Sequence, residues 1–184
     1  MDMNWKTIES EYLFRDLWFK VRKDTCERPD GKIVSPYYVY EFPTWVTAVA
    51  ITRDGRFVFE KQYRHALGQT IFEIPGGCVD PGDASLEAAL ARELKEETGY
   101  VFDSLEYLGK TSANPSTHNN WMHFFLATGG VPDSNPQLDD FEDIEVHLLS
   151  LEEVKHMLKQ KEIVQAMHVT ALMYALEKMG KLTY

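Results

Sequence analysis

The tightest constraint on this chain is a run of three glutamates, Glu93, Glu96 and Glu97, inside a stretch whose leucines keep helical spacing. At about 100° per residue, with Glu93 at zero, Glu97 falls at about 40° and Glu96 at about −60°. On the same wheel Leu86, Leu90 and Leu94 fall at about 20°, 60° and 100°. Glu93 and Glu97 therefore continue the stripe that the leucines mark as the buried side. Carboxylates placed there repel one another and lose hydration, which is costly unless something compensates. A bound divalent cation removes that conflict. Oxygen ligands with no Cys or His cluster nearby select a hard ion, Mg²⁺ or Mn²⁺. A charge run on an arbitrary helix is ordinarily a solvated face. Here the leucine stripe, the Pro75-Gly76-Gly77 turn before the helix and Gly99 after it argue for a site.

The whole segment reads Gly77-x5-Asp83-x8-Arg92-Glu93-Leu94-Lys95-Glu96-Glu97-Thr98-Gly99-Tyr100. It resembles the Nudix box, G-x5-E-x7-R-E-U-x-E-E-x-G-U with U aliphatic, and matches at every fixed position from Arg92 to Gly99. Asp83 stands where the pattern has Glu, eight residues rather than seven separate it from Arg92, and Tyr100 fills the last aliphatic place. The extra residue lengthens the loop before the helix and leaves open whether Asp83 orients Arg92. The resemblance implies that Glu93 and Glu97 are direct metal ligands, that Glu96 assists them in catalysis, and that the backbone carbonyl of Gly76 completes the coordination. Gly77, Arg92 and Gly99 are then structural members of the motif. The implied reaction is hydrolysis of a phosphoanhydride, with water as nucleophile and no covalent intermediate.

The chain has 184 residues, which is one domain of ordinary size with room for a small appended element. Its 29 acidic and 19 basic residues leave a net charge of −10, which argues against a general nucleic-acid or anionic-membrane surface. Phosphate substrates remain compatible, because metal ions carry local positive charge. Cys26 and Cys78 are too few for a zinc site, and free thiols in a reducing compartment are expected. The N-terminus is polar, and no apolar run approaches a membrane span. A cytoplasmic protein is expected.

Residues 5–41 alternate in short runs, including Lys6–Glu9, Leu17–Val21 and Ile33–Phe42, with Asp30-Gly31 as a hairpin signal. They read as an N-terminal antiparallel ribbon, residues 1–43, ahead of a main domain at 44–184. Strands are predicted at Trp45–Thr52, Arg56–Tyr63, Thr70–Ile74, Leu105–Lys110, Trp121–Thr128 and Ile144–Ser150. The motif helix spans about Ser85 to Thr98, and Gly129–Asp143 reads as a long loop. Ser150-Leu151-Glu152-Glu153 carries the signature of a helix start, for a helix running to about Lys159. A second tail helix runs from about Ile163 to Met179. The order of elements gives an α+β fold with helices flanking a mixed sheet. The resemblance implies the same arrangement, the α/β/α sandwich of the Nudix fold.

Within that family the chain is similar to the ADP-ribose pyrophosphatase branch. The similarity rests on Gln62-Tyr63-Arg64, on Pro115 placed 16 residues after Gly99, and on an acidic loop before a strand and two helices. It implies that Arg64 meets a phosphate, a task for which a guanidinium is well suited, and that Glu73 contacts ribose hydroxyls or the base. In the acidic loop Asp139–His147, Glu142 is the expected general base, with Asp140 next. The substrate implied is a nucleoside diphosphate linked to another moiety, ADP-ribose first. A GDP-mannose-type sugar nucleotide, a nucleoside triphosphate, and a non-catalytic nucleotide-binding module are the alternatives. Trp5, Trp18, Tyr40 and Trp45 are candidates for stacking on a nucleobase, although core packing is the ordinary fate of such rings. His118, His123 and His147 have no ligand spacing and read as structural. In this branch the ribbon is often exchanged between subunits, so a homodimer is expected.

Overall fold

A computed structural model describes residues 2–138 and 143–182. The chain falls into two compact units, Met1–Thr44 with Ser112–Trp121, and Trp45–Thr111 with Met122–Tyr184. The first holds a three-stranded antiparallel sheet of β1 (Lys6–Arg15), β2 (Lys20–Glu27) and β3 (Ile33–Glu41), in that order. The strand expected at Leu17–Val21 is displaced. The Asp16 carboxylate accepts the backbone N–H groups of Trp18 and Phe19 at 2.8 and 2.9 Å, which makes this stretch the turn between β1 and β2. Asp24, buried in β2, is satisfied by Ser10 Oγ at 2.7 Å and Arg22 Nε at 3.0 Å. Pro115 sits in the turn in which Thr117 and His118 donate to the Asn114 carbonyl, and Asn120 Nδ2 donates to the Pro43 carbonyl at 2.9 Å.

The second unit is built on an eight-stranded mixed sheet. Its strands are β4 (Trp45–Thr52), β5 (Phe57–Arg64), β6 (Gln69–Glu73), β7 (Gly76–Cys78), β8 (Tyr100–Val101), β9 (Ser104–Thr111), β10 (Met122–Pro132) and β11 (Ile144–Leu149). The main path runs β11-β5-β4-β10-β8, with β6 on β5, β7 on β4 and β9 on β10. Only β4 and β10 pair in parallel among the described ladders. That central position explains why β4 is mostly apolar and is buried from Val46 to Thr52, on both faces.

Alternation along the strands sorts the core into two layers. Val49, Ile51, Phe57, Phe59, Phe124 and Leu126 face helices α2 (Leu151–Gln160) and α3 (Ala166–Lys178), meeting Val154, Met157, Met167, Ala171 and Leu172. Their sequence neighbours Val46, Ala48, Ala50, Val58, Phe125 and Ala127 face α1 (Leu86–Thr98), meeting Ala89, Leu90 and Leu94. The fold is α+β, a mixed sheet between helices, as expected. Among the described residues no helix is long and apolar enough to cross a membrane.

The short strands β7 and β8 are not in the sequence reading, and the ends of two longer elements also differ from it. The Gly129-Gly130 pair, read as the start of a loop, is a bulge that carries β10 on to Pro132 and lets Val131 and Pro132 pair with β8. Gly129 takes a left-handed φ of 76°, and a Cβ would lie 2.3 Å from the Asp103 carboxylate there and 2.5 Å from the Phe102 ring at Gly130, so these side chains fill the space the glycines leave. The last helix starts at Ala166 rather than Ile163, because the Gln165 side chain caps it by accepting the Met167 N–H at 2.6 Å. Trp45 packs against the first core layer, but Trp5, Trp18 and Tyr40 are exposed on the first unit instead of filling a core.

Gly99 closes α1 in the left-handed region at φ 75°, and a Cβ there would lie 2.3 Å from the Ser134 carbonyl. We expect Gly99→Ala to lower stability by about 2 kcal/mol or more, read as a fall in the urea midpoint at unchanged slope.

Candidate active site

α1 is fixed at both ends by local chemistry. Ser85 Oγ accepts the Ala88 N–H at 3.1 Å, and the Gly99 N–H donates to the Lys95 carbonyl. The leucine stripe then turns the glutamates as the wheel predicts. Glu97 is buried, the Glu93 side chain is 13% exposed, and that of Glu96 is 44% exposed.

What receives them is the short strand β7, paired with β4 through Thr47–Gly76, Val46–Gly77 and Trp45–Cys78. Thr47 Oγ1 and the Ala48 N–H both donate to the Pro75 carbonyl, at 2.8 and 3.1 Å, fixing the turn that leads into β7. The Gly76 N–H donates to Glu97 Oε2 at 2.8 Å. Gly76 has φ 147°, and a Cβ there would lie 2.2 Å from the Val46 carbonyl oxygen. At Gly77 a Cβ would lie 2.6 Å from the Glu93 carboxylate. Gly76 thus lets β7 close on β4 while its N–H meets Glu97, and Gly77 leaves the room that the Glu93 carboxylate occupies.

Arg92 ties the motif together. Its Nε and Nη2 reach Asp83 Oδ1 and Oδ2 at 3.3 and 3.1 Å, and Nη2 also donates to the Cys78 carbonyl at 3.0 Å. Nη1 meets Glu93 Oε1 and Glu96 Oε2, both at 3.0 Å. Asp83 is therefore the partner that orients Arg92, despite the shorter side chain and the additional residue. The loop absorbs the insertion before Ser85, and Asp83 also accepts the Asp80 N–H at 2.8 Å. The Arg92 hydrogen bond, then the Asp80 N–H, hold the Asp83 carboxyl below its usual range. Cys78 is a free thiol, as is Cys26, and burial beside Glu93 pushes the Cys78 thiol up.

Among the described residues no three His, Cys, Asp or Glu side chains close into a ready cage for a metal ion. Arg92 stands between Glu93 and Glu96, and Glu97 rests on Gly76. The donor chemistry nonetheless fits a hard divalent cation: every candidate ligand is an oxygen, and the glycine backbone leaves no side chain in the way.

A second cluster brings together Arg64 and Glu73, the two residues expected to touch substrate. Arg64 Nε donates to Glu73 Oε2 at 2.6 Å, with the Glu73 side chain 5% exposed and that of Arg64 48%. Glu73 and the buried Glu60 are direct partners in the β5–β6 ladder. The sequence reading missed His168, which is buried on α3 with its Nδ1 3.9 Å from Glu73 Oε1. A histidine inside an apolar helical run gives no signal of its own. Glu142, the expected base, and Asp140 lie outside the described residues. His118, His123 and His147 have ordinary neighbours: the Tyr40 and Phe42 rings, the Tyr107 hydroxyl, and Glu145 with Phe72.

Residues 42–168 match the NUDIX domain, and residues 5–40 match the nucleoside diphosphate sugar hydrolase N-terminal domain. The chain belongs to the Nudix family and is a Nudix hydrolase. It is 33% identical to a methanol dehydrogenase activator of Bacillus methanolicus, over 92% of this chain and 91% of that one. It is 32% identical, over the same shares, to the ADP-ribose pyrophosphatase of Bacillus subtilis. Its fold superposes on the crystal structure of an ADP compounds hydrolase with a TM-score of 0.82 at 24% identity, covering 99% of this chain and 100% of that one. Hydrolases of this family generally need a divalent metal.

Burial lowers the His168 pKa to about 3, with a further push from Arg64. In an unfolded chain the imidazole titrates near 6.5, so below that pH the unfolded state takes up a proton that the folded state refuses. Stability is whole above about pH 6.5 and falls as the pH drops towards 3. We expect His168→Leu to remove up to one proton's slope, about 1.4 kcal/mol per pH unit, in urea denaturation between pH 6.5 and 4.5.

Proposed function

We propose that this protein hydrolyses the phosphoanhydride of a nucleoside diphosphate joined to another moiety, converting ADP-ribose to AMP and ribose 5-phosphate with Mg²⁺, or Mn²⁺ in its place. The single observation that carries the reading is the docking of buried Glu97 on the Gly76 N–H beside Glu93. A fold does not keep a carboxylate pair half desolvated on a glycine backbone for stability alone. The choice of ADP-ribose is supported by the Bacillus subtilis relative, named an ADP-ribose pyrophosphatase, and by the N-terminal match to sugar nucleotide hydrolases.

In this reading Glu93, Glu97, Glu96 and the Gly76 carbonyl would hold the cation. When bound, the cation neutralises diphosphate charge and acidifies a water. Water adds to one phosphorus, the bridging P–O bond breaks, and the water's proton passes to a carboxylate, for which Glu142 is our choice. Arg92 holds Glu93 and Glu96 apart from each other and in place through Asp83. Arg64 binds a phosphate oxygen, and Glu73, the residue expected to contact the ribose hydroxyls or the base, pairs with Arg64 and directs it. Gly77 and Gly99 keep their roles in the shape of the motif. A sugar nucleotide of the GDP-mannose type or a nucleoside triphosphate would use the same centre, so a substrate panel with Mg²⁺ tests the choice. Equal, feeble turnover of all would defeat ADP-ribose. A module that binds nucleotides without cleaving them is disfavoured because all three glutamates are present.

We also propose a homodimer formed through the first unit. Every residue of β1 is exposed, and Ile8, Leu13, Phe14, Leu17 and Trp18 are large apolar groups facing solvent. A second copy of the chain would cover them, and light scattering at micromolar protein reads the mass. The free thiols Cys26 and Cys78 suit a cytoplasmic setting.

For the reaction itself, Glu97→Gln keeps an oxygen to accept from Gly76 but removes the charge. We expect kcat/KM for ADP-ribose to fall by about 100-fold or more while the melting temperature holds. Undiminished cleavage by this variant would remove the metal-site assignment.

A further inference from the structure

His168 contradicts the usual rule for buried polar groups. Its side chain is 8% exposed, yet Nδ1 has no hydrogen-bond partner among the described residues. Such an atom ordinarily finds one, because an unmet donor or acceptor in the interior is costly. The imidazole is not far from an acceptor. Glu73 Oε1 lies 3.9 Å away, beyond a hydrogen bond but within a small side-chain shift of one.

The other oxygen of the same carboxylate, Oε2, is held by Arg64 Nε at 2.6 Å. Among the described residues that is the only side-chain hydrogen bond Arg64 makes, and nearly half of its side chain is open to solvent. The pair is lopsided. Glu73 is locked in the interior, while Arg64 stands at its edge, and among the described residues no hydrogen bond ties its two Nη groups to a side chain. An incoming dianion competes with Glu73 for that guanidinium, and paired Nη donors favour a phosphate. As Arg64 turns outward, the buried carboxylate loses part of its counter-charge and needs another donor.

We propose that His168 is a positioning residue that takes over Glu73 as Arg64 turns to a diphosphate, donating Nδ1–H to Oε1. Neutral imidazole suffices, in the tautomer with its proton on Nδ1, and no net proton moves. The resting gap of 3.9 Å is the space that closes. This rests on the reading of Arg64 as a phosphate-binding residue, but not on the identity of the nucleotide or on turnover.

The test separates those claims. Affinity for inorganic diphosphate with Mg²⁺ is measured by calorimetry in the full-length wild type and in Arg64→Ala, His168→Leu and His168→Asn, alongside melting temperatures. Asn sets an amide N–H near the place of Nδ1, so it keeps the donor while changing the ring. We expect His168→Leu to melt no lower than wild type at pH 7.5, since it removes an unmet polar atom, yet to bind diphosphate about tenfold more weakly, the size of one hydrogen bond to a charged group. His168→Asn should recover most of that loss. With ADP-ribose, His168→Leu should raise KM by a similar factor and leave kcat within about twofold. Should His168→Leu not fold, His168→Met, which adapts to irregular space, takes its place. Unchanged diphosphate affinity in the apolar variant, failure of Asn to rescue it, or wild type binding no better than Arg64→Ala each overturns the inference. Absence of ADP-ribose hydrolysis by wild type that still binds diphosphate overturns the proposed reaction and leaves this inference standing.

Discussion

The contact on which the rest of the site depends is the 2.8 Å hydrogen bond from the Gly76 backbone to the buried Glu97 carboxylate. It joins the C-terminal end of α1 to β7, and β7 is itself laid against β4, the strand buried on both faces. A charge at that depth needs donors, and the strand supplies one from the main chain, where it cannot swing away. The position of Glu93 follows, because four residues earlier on the same helix it must lie beside Gly77. Arg92, Glu93 and Glu96 then share one guanidinium, so the spacing of the carboxylates is set by an ion-pair network rather than by mutual repulsion.

That network also shows how the fold tolerates a change of sequence. Asp83 has a shorter side chain than the motif provides for and sits one residue further from Arg92. It still forms a two-point contact, because the loop before Ser85 lies outside the strands and helices and the Asp80 N–H steers the carboxylate. Planar guanidinium geometry asks for two oxygens in one plane, not for a particular backbone distance. The helix beyond Ser85 is unaffected, since its start is defined by a side-chain cap and its end by Gly99.

A second, smaller polar centre is built from the sheet edge. Glu73 and Glu60 oppose each other across β5 and β6, Arg64 covers Glu73 from the solvent side, and α3 brings His168 from the interior. This centre has unequal partners, one strong ion pair and one contact left long. In the α1 centre, by contrast, Arg92 is hydrogen-bonded to Asp83, Glu93, Glu96 and the Cys78 carbonyl, and only its Asp80 contact, at 3.6 Å, is longer among the described ion pairs. The α1 centre is thus the more fully cross-linked of the two, and the Glu73 centre keeps one long contact.

The sequence by itself determined the motif helix, the inward turn of Glu93 and Glu97, most strand positions and the layered α+β plan, because period and spacing are local properties. The 3.6-residue stripe through Leu86, Leu90, Glu93, Leu94 and Glu97 could be read without any partner. Turn chemistry was less legible: Asp16 converted an apolar run into a turn, and Gly129-Gly130 served a bulge where a loop had been expected. Only the tertiary structure decided that Asp83 reaches Arg92, that Arg64 and Glu73 form a pair, and that His168 stands behind them. Those contacts join residues from separate strands, loops and helices, and no periodicity in a single segment encodes the distance between side chains that meet only after the sheet has closed.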